Sequence, residues 1–265
     1  MYIMIYLAAI FIGILTGGIT SLIGASGVMV VVPVLTMLFH VNAHAAIGTS
    51  LFVDVIASIV VSFNYFKNGN VDIKSSIWIA ASSIAGAQLG TLFSSNIKEG
   101  ILSELFGVIL VASGIFMFIK SNKKTGGTND IQKKTFHLKN KWLQILLSII
   151  VGFAIGIISG VFGAGGGIMV LLALIFIMSY PLHKAIGTST LIMTMTALSS
   201  TIGYAVRGNI DFQLGSMLAV GAVAGGILGS RYANKVNEQT LQKVVSICFF
   251  FMGIAMTAIE LVKLK

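Results

Sequence analysis

The sequence predicts an all-helical integral membrane protein built from two homologous repeats. Three observations predict it. First, 56% of the 265 residues are hydrophobic and 9% are charged, whereas roughly a quarter of the residues in a soluble domain are charged. Second, the stretches 1–53 and 142–183 contain no Asp, Glu, Lys or Arg. Third, the sequence matches itself without a gap when it is shifted by 139 positions.

The self-match joins two copies of one unit. Its matched positions include His, Tyr, Asn and Asp as well as glycines, so the abundance of glycine does not explain it. The pairs include Gly13 and Gly152, Gly17 and Gly156, Gly24 and Gly163, Gly27 and Gly166, His44 and His183, Gly48 and Gly187, Tyr65 and Tyr204, Asn70 and Asn209, Asp72 and Asp211, and Gly86 and Gly225. In an apolar chain, such a duplication is typical of membrane carriers whose halves face each other across a central site.

Hydropathy and turn residues place five apolar segments in each repeat. They are 2–23, 28–39, 46–66, 75–96 and 101–119 in the first repeat, and 142–162, 168–179, 185–206, 212–232 and 241–261 in the second. The second segment of each repeat is too short to cross about 30 Å of hydrocarbon as a helix. We therefore expect it to be a short, broken half-span.

The half-span decides how the two repeats are related. If it crosses the membrane, each repeat has an odd number of crossings and the repeats are inverted. If it turns back, each repeat has four spans plus a re-entrant segment and the repeats are parallel. The number of basic residues on the cytoplasmic side differs by one between these topologies, so charge does not separate them. We favour inverted repeats, because such pairs build a central site from two discontinuous helices.

A polar stretch between the repeats holds seven of the 17 basic residues. They are Lys120, Lys123, Lys124, Lys133, Lys134, Lys139 and Lys141. The positive-inside rule places this stretch in the cytoplasm, and its charge then needs no nucleic-acid partner. We predict a first membrane repeat at 1–119, a Lys-rich cytoplasmic linker at 120–141 and a second membrane repeat at 142–265, in the inner (plasma) membrane. No basic residue precedes the first apolar segment, so we expect a retained span and not a cleaved signal.

Two glycine clusters precede the half-spans. The first cluster is Gly24, Ala25, Ser26 and Gly27, and the second is Gly163, Ala164, Gly165, Gly166 and Gly167. Each glycine costs a helix about 1 kcal/mol relative to alanine, so the clusters favour a break. The bare N–H groups and positive end of the helix that follows suit an anion. We expect both clusters to bind substrate; the alternative is that they only let two helices cross closely.

Two matched pairs of hydroxyl residues begin the third segment of each repeat. They are Thr49 with Ser50 and Thr188 with Ser189. Hydroxyl groups at such positions cap a helix start, bond back to the preceding turn, or reach a substrate. We include all four among the candidate substrate contacts.

Asp54 is a carboxylate well inside an apolar segment, and its matched position is Met193. A buried acid in a membrane is costly and usually faces a bundle interior or a wet cavity, where it can carry a proton. Proton coupling is therefore one hypothesis for Asp54. A buried hydrogen bond to a neighbouring hydroxyl is the competing one.

The other matched polar residues are expected to be structural. A Gly-Asn-hydrophobe-Asp sequence ends at Asp72 and again at Asp211, which is typical of a turn leading to a helix cap. His44 and His183 are expected in loops, because their spacing fits no metal site. The sequence contains no nucleophile motif and no phosphate-binding Walker motif. We expect neither an enzyme nor a metal or other cofactor.

At the glycine clusters, the Ile-Gly-Thr-Ser stretches and the Gly-Asn-hydrophobe-Asp turns, the chain resembles the sulfite exporter TauE/SafE family of small permeases. The similarity covers nearly the whole chain. It implies export from the cytoplasm of a small sulfur-containing anion such as sulfite, a sulfonate, sulfoacetate or thiosulfate. It also implies that the two glycine clusters and the Thr-Ser pairs form the site. The first cluster departs from a fuller glycine run, so the two halves need not play equal roles.

The function that we expect is a secondary transporter working by alternating access, whose partners are a small anionic substrate and the lipid bilayer. The central anion site would lie between the two glycine breaks near the membrane midplane. An anion channel, or a permease for another small organic or inorganic anion, is the alternative.

Overall fold

The computed structural model describes residues 2–24, 26–94, 108, 111–119, 141–162 and 166–263, and over these residues it contains helices and no strand. The helices are α1 (Tyr2–Ile23), α2 (Val28–Leu38), α3 (Ala43–Lys67), α4 (Ile73–Ser94), α5 (described over 111–119), α6 (Lys141–Phe162), α7 (Gly166–Phe176), α8 (Leu182–Val206), α9 (Phe212–Lys235) and α10 (Glu238–Lys263). The all-helical prediction is confirmed. Of the predicted linker, Lys141 begins α6, and 120–140 lie outside the described residues.

Four helices in the described part of the chain are long and apolar enough to cross a membrane. Their apolar spans are Tyr6–Ile23, His44–Lys67, Leu182–Val206 and Phe212–Lys235. Large apolar side chains on these helices point outward; Phe11 is 61% exposed and Val206 is 84% exposed. In water such exposure would be unfavourable, whereas lipid tails accept it.

The two predicted half-spans are short helices. α2 and α7 contain 11 residues each, which is about 16 Å at 1.5 Å per residue. Each is therefore roughly half as long as the hydrocarbon layer is thick. α2 follows the first glycine cluster, as the sequence predicts, whereas α7 begins inside the second cluster, at Gly166 and not at 168.

The helix pairs between the two halves come in matched sets. α1 packs along α9, and α4 packs along α6; the 139-position shift exchanges these two pairs. α3 crosses α8, its own counterpart. The helix contacts between the halves thus follow the 139-position shift.

Glycines allow helices from the two halves to pack closely against each other. A Cβ on Gly17 would overlap the carbonyl oxygen of Ala222, and a Cβ on the matched Gly156 would overlap that of Ser83. Gly86 and Gly225 meet carbonyl oxygens of the opposite half in the same way. The backbones approach too closely for any side chain, as in other membrane helix pairs.

Candidate anion site at the first glycine break

The first glycine cluster interrupts the helix as predicted. α1 ends at Ile23, and Gly24 takes a left-handed conformation with φ of +66°. The Gly24 N–H donates to the Thr20 carbonyl at 2.8 Å, which closes the end of α1. Gly27 then stands as the N-cap of α2 without offering a side-chain cap of its own. Amide groups at the start of α2 therefore need acceptors from elsewhere.

Asp54 of α3 supplies that acceptor. The Gly27 N–H donates to Asp54 Oδ1 at 3.0 Å, and the Ser26 hydroxyl donates to Asp54 Oδ2. The Val28 N–H donates to Ser26 Oγ at 3.1 Å. Asp54 is 1% exposed and lies within an apolar helix. The start of α2 thus holds a carboxylate through one backbone N–H and one hydroxyl group, as the positive end of a helix favours.

The hydrogen bond from Ser26 is the structural role that competed with proton coupling for Asp54. The contact also explains why Ser26 is a serine where the second cluster has Gly165, since Met193 stands at the matched position of Asp54. The first half therefore carries a polar pair that the second half lacks. Proton coupling by Asp54 stays a prediction.

Thr20 is a polar residue near the break that was not among the predicted site residues. Its side chain is fully buried, and Thr20 Oγ1 has no hydrogen-bond partner within the described residues. Thr16, one helical turn before it, packs its Cγ2 against Gly27. Residues four apart share a helix face, so Thr20 lies on the face of α1 turned toward the break. The sequence did carry one indication that Thr20 matters, because its matched position in the second repeat is also a hydroxyl residue, Ser159.

The Thr-Ser pairs lie in the second turn of their helices and not at the first. α3 begins at Ala43, where the Asn42 side chain accepts from the Ala45 N–H at 2.8 Å, and α8 begins at Leu182. Helix capping is thus not the role of Thr49 or Thr188.

The two threonines instead join the halves. Thr49 Oγ1 accepts from the Asp211 N–H at 2.9 Å, and Thr188 Oγ1 accepts from the Asp72 N–H at 3.1 Å. The serines bond back to the preceding turn: the Ser50 hydroxyl donates to the Ile47 carbonyl at 2.9 Å. All four residues are buried. Substrate contact by these hydroxyl groups stays a prediction.

Ser189 connects the second half directly to the first break. Its hydroxyl lies 3.0 Å from the Gly24 carbonyl oxygen and 2.9 Å from the Ile186 carbonyl oxygen, and donates to one or the other. A Cβ on Gly24 would overlap Ser189 Oγ. The first break is therefore packed against the start of α8.

The second glycine cluster is described only in part. Gly163, Ala164 and Gly165 lie outside the described residues, as does Ala25 of the first cluster. Gly166 begins α7, and Gly167 is buried. Anion binding by the second cluster therefore stays a prediction.

Both histidines lie in helices, which corrects the prediction that they are loop residues. His44 and His183 each occupy the first turn of a helix, α3 and α8 respectively. His183 Nε2 contacts the Ala233 carbonyl at 2.9 Å. Across the described ranges, no group of three or more His, Cys, Asp or Glu side chains is placed to hold a metal ion.

The Gly-Asn-hydrophobe-Asp turns end in helix caps, as predicted. Asp211 Oδ1 accepts from the Leu214 N–H at 2.9 Å, and Asp72 Oδ1 accepts from the Ser75 N–H at 3.1 Å. Asp72 Oδ2 also accepts from the Tyr180 hydroxyl at 2.9 Å and lies 3.5 Å from Lys184 Nζ. Burial by itself raises the pKa of Asp72, but these hydrogen bonds and the Lys184 charge outweigh it and hold that pKa below its usual value of 3.8.

The chain is similar to known membrane transporter proteins over most of its length. The family model described as "Sulfite exporter TauE/SafE" matches residues 9–256. A probable membrane transporter protein of Bacillus subtilis, YdhB, is 27% identical over 87% of this chain and 91% of its own length. The probable membrane transporter protein MJ0441 of Methanocaldococcus jannaschii is 29% identical over 93% of each chain. No solved structure matches the chain significantly.

Proposed function

This chain belongs to the sulfite exporter TauE/SafE family, and we propose that it is a secondary transporter that exports a small sulfur-containing anion. Its relatives are named as probable membrane transporters, and its long apolar helices make it a multi-pass membrane protein. Sulfite, a sulfonate, sulfoacetate and thiosulfate are the candidate substrates. Neither the family nor the relatives' names indicate an enzyme.

The observation that carries this proposal is the way α2 begins. The Gly27 N–H and the Ser26 hydroxyl hold a buried carboxylate, Asp54, so the protein has already assembled donors for an oxyanion inside an apolar bundle. A sulfonate or sulfite group presents the same type of acceptor oxygen as a carboxylate. In the proposed site, residues 24–27 bind the anion from one side and residues 163–167 bind it from the other. Thr49, Ser50, Thr188 and Ser189 surround it.

Alternating access in the proposal uses two inverted repeats. The matched pairs α1 with α9 and α4 with α6, together with the α3 and α8 crossing, support a duplicated unit with a central twofold relation. Rocking of one half against the other would open the site to each side in turn. We place the chain in the plasma membrane with the Lys-rich linker in the cytoplasm.

Energy for export comes from the membrane potential in the proposal. A membrane potential that is negative inside favours the exit of an anion by about 2.3 kcal/mol per charge per 100 mV. Asp54 adds a route for coupling to protons, because a buried acid can change its charge during the cycle. The alternative function, an anion channel, needs no such cycle.

Reconstitution in liposomes tests the proposal. Labelled sulfite, thiosulfate, sulfoacetate and chloride are offered with and without a pH gradient, and counterflow is measured. A carrier shows counterflow of at least one sulfur anion, whereas a channel conducts steady current without it. Failure of every anion to bind or move would reject the proposed function.

A serine variant locates the site in the same assay. We predict that Ser26→Ala lowers transport of the active anion by about tenfold, because one hydroxyl donor to a charged group is lost. Ser216→Ala is the matched control, since the Ser216 hydroxyl is exposed and bonds back to the Gln213 carbonyl of its own helix. Equal rates for the two variants would argue against the first break as the binding site.

A further inference from the structure

The start of α2 already holds a negative group that the protein supplies. Asp54 accepts hydrogen bonds from the Gly27 N–H and the Ser26 hydroxyl. The Ser26 oxygen in turn accepts a hydrogen bond from the Val28 N–H. An incoming anion needs the same donors and the same positive helix end. A bound anion and an ionised Asp54 therefore compete for one set of hydrogen bonds.

The helices around Asp54 carry little positive charge that could stabilise an ionised Asp54 and a bound anion at the same time. The described parts of α1 and α2 contain no Lys, Arg, His, Asp or Glu. The titratable side chains of the helices packed on α3 lie toward the ends of those helices. They are Tyr6 on α1, His183, Lys184 and Tyr204 on α8, and Arg231, Tyr232 and Lys235 on α9; Asp211 lies directly before α9. α3 itself adds His44, Tyr65 and Lys67 near its own ends. In the part of the chain that the structure describes, Asp54 forms no ion pair with any of these. Two neighbouring buried negative charges without a cation are strongly unfavourable.

Thr20 provides an independent observation that points to a ligand at the break. Its hydroxyl is fully buried without a partner among the described residues, whereas Thr16 on the same face donates to the Ile12 carbonyl at 2.7 Å. A buried hydroxyl that makes no hydrogen bond is costly. Thr20 lies directly before the break, since its carbonyl accepts from the Gly24 N–H. The unpaired hydroxyl thus lies one helical turn after Thr16, which packs on Gly27, and four residues before Gly24.

We propose that ionised Asp54 is a tethered competitor for the transported anion, and that the anion binds when Asp54 takes up a proton, with the Thr20 hydroxyl as an additional donor. The proton comes from solvent and stays on the carboxyl group, so each bound anion is accompanied by one bound proton. A dianion such as thiosulfate then keeps one net negative charge, so the membrane potential still favours its exit. Release of the Gly27 N–H and of the Ser26 hydroxyl from Asp54 then leaves both for the anion. This inference rests on the proposed function and specifies how its site is regulated.

Competition between ionised Asp54 and the anion predicts how the affinity for the anion changes with pH. Above the pH at which Asp54 loses its proton, each anion must bring a proton with it, so its affinity falls about tenfold per pH unit. Below that pH the affinity is constant. Asparagine at position 54 carries no charge at any pH, so the dependence disappears.

Binding of thiosulfate to the purified full-length protein tests this by calorimetry between about pH 5 and about pH 8, a range over which thiosulfate stays a dianion. We expect wild-type affinity to fall with rising pH and Asp54→Asn affinity to stay constant, at a value no weaker than that of the wild type at low pH. Equal pH dependence in both proteins, or loss of binding in Asp54→Asn, would overturn the proposal. If neither protein binds thiosulfate, sulfite or sulfoacetate, the proposed function fails with it.

Two threonine variants test the additional donor. Thr20→Val is expected to weaken thiosulfate binding by about tenfold, because one hydrogen bond to a charged group is lost. It should leave the melting temperature of the free protein unchanged or raised, since the hydroxyl makes no bond to any described residue. Thr16→Val keeps the methyl group that packs on Gly27 and should keep wild-type affinity. A lower melting temperature with unchanged affinity in Thr20→Val would assign Thr20 a structural role instead.

Discussion

Single residues at the first break show what the sequence can and cannot reveal. The glycine cluster, Ser26 and Asp54 stood out because each is unusual for an apolar segment. That Asp54 and Ser26 bind each other did not follow from the sequence, because they are 28 positions apart and Ser26 lies in the break before α2 whereas Asp54 lies within α3. Thr20 was missed because threonine is common in membrane helices and usually bonds back to its own helix. What distinguishes it from Thr16 is that its hydroxyl finds no partner within the described ranges.

Gly24 should tolerate alanine less well than another glycine with the same backbone conformation. Both Gly24, with φ of +66°, and Gly69, with φ of +71°, are left-handed, which costs an L-residue about 1 kcal/mol. A Cβ on Gly24 also overlaps Ser189 Oγ, whereas a Cβ on Gly69 meets no described atom within 4 Å. Overpacking adds about 1–3 kcal/mol, so Gly24→Ala should melt at a clearly lower temperature than Gly69→Ala. Equal melting temperatures in detergent would show that the break is not packed on α8.

At the scale of helices, hydropathy predicted most boundaries to within three residues. α1, α2 and α6 match the expected segments at nearly every end, because each is limited by a glycine cluster or a polar connection. The largest differences are three residues, as at the start of α3, which begins at Ala43 and not at 46. A cap by Asn42 extends the helix through polar residues that hydropathy does not recognise. Thr49 and Ser50 consequently lie a turn deeper than expected.

Two neighbouring glycines of α1 should respond oppositely to alanine. Gly17 lies against the Ala222 backbone of α9, whereas a Cβ on Gly18 meets no described atom within 4 Å. Gly17→Ala forces the helices apart and should lower stability by about 1–3 kcal/mol. Gly18→Ala should be neutral or stabilising by up to about 1 kcal/mol, since alanine favours a helix. Chemical denaturation of the two variants in the same detergent gives the comparison, and similar losses in both would contradict the close contact of α1 with α9.

At the scale of the whole molecule, the internal repeat predicted which helices correspond but not how they pair. The sequence shift relates α1 to α6 and α4 to α9, yet α1 packs on α9 and α4 packs on α6. Such exchange depends on interhelix contacts that hydropathy does not encode. The two halves also differ where the sequence breaks its own symmetry: Tyr180 and Lys184 bind Asp72, whereas the matched positions of the first half are Val41 and Ala45, which cannot bind a carboxylate in this way.

The contacts of Asp72 with Tyr180 and Lys184 should make the stability of the contact between the two halves sensitive to acid. The pKa of Asp72 in the folded protein lies below 3.8, so its contribution to stability is complete above that pH and is lost as the pH falls through the folded value. Asp72→Asn should therefore melt below the wild type at neutral pH, and the difference should narrow in acid. Asp211→Asn is the matched control, because asparagine also caps a helix and Asp211 forms no ion pair in the described residues. A difference as large for Asp211→Asn, or one that is constant with pH, would contradict the role of Tyr180 and Lys184.

The position of a bound anion tests the central claim most directly. Selenite, a heavier analogue of sulfite, can be located by its anomalous scattering in an experimental structure of the protein at acidic pH. We predict a selenium peak at the start of α2, with its oxygens about 3 Å from the donors of Gly27, Ser26 and Thr20. A peak elsewhere, with Asp54 still bound to Gly27 and Ser26, would contradict the account.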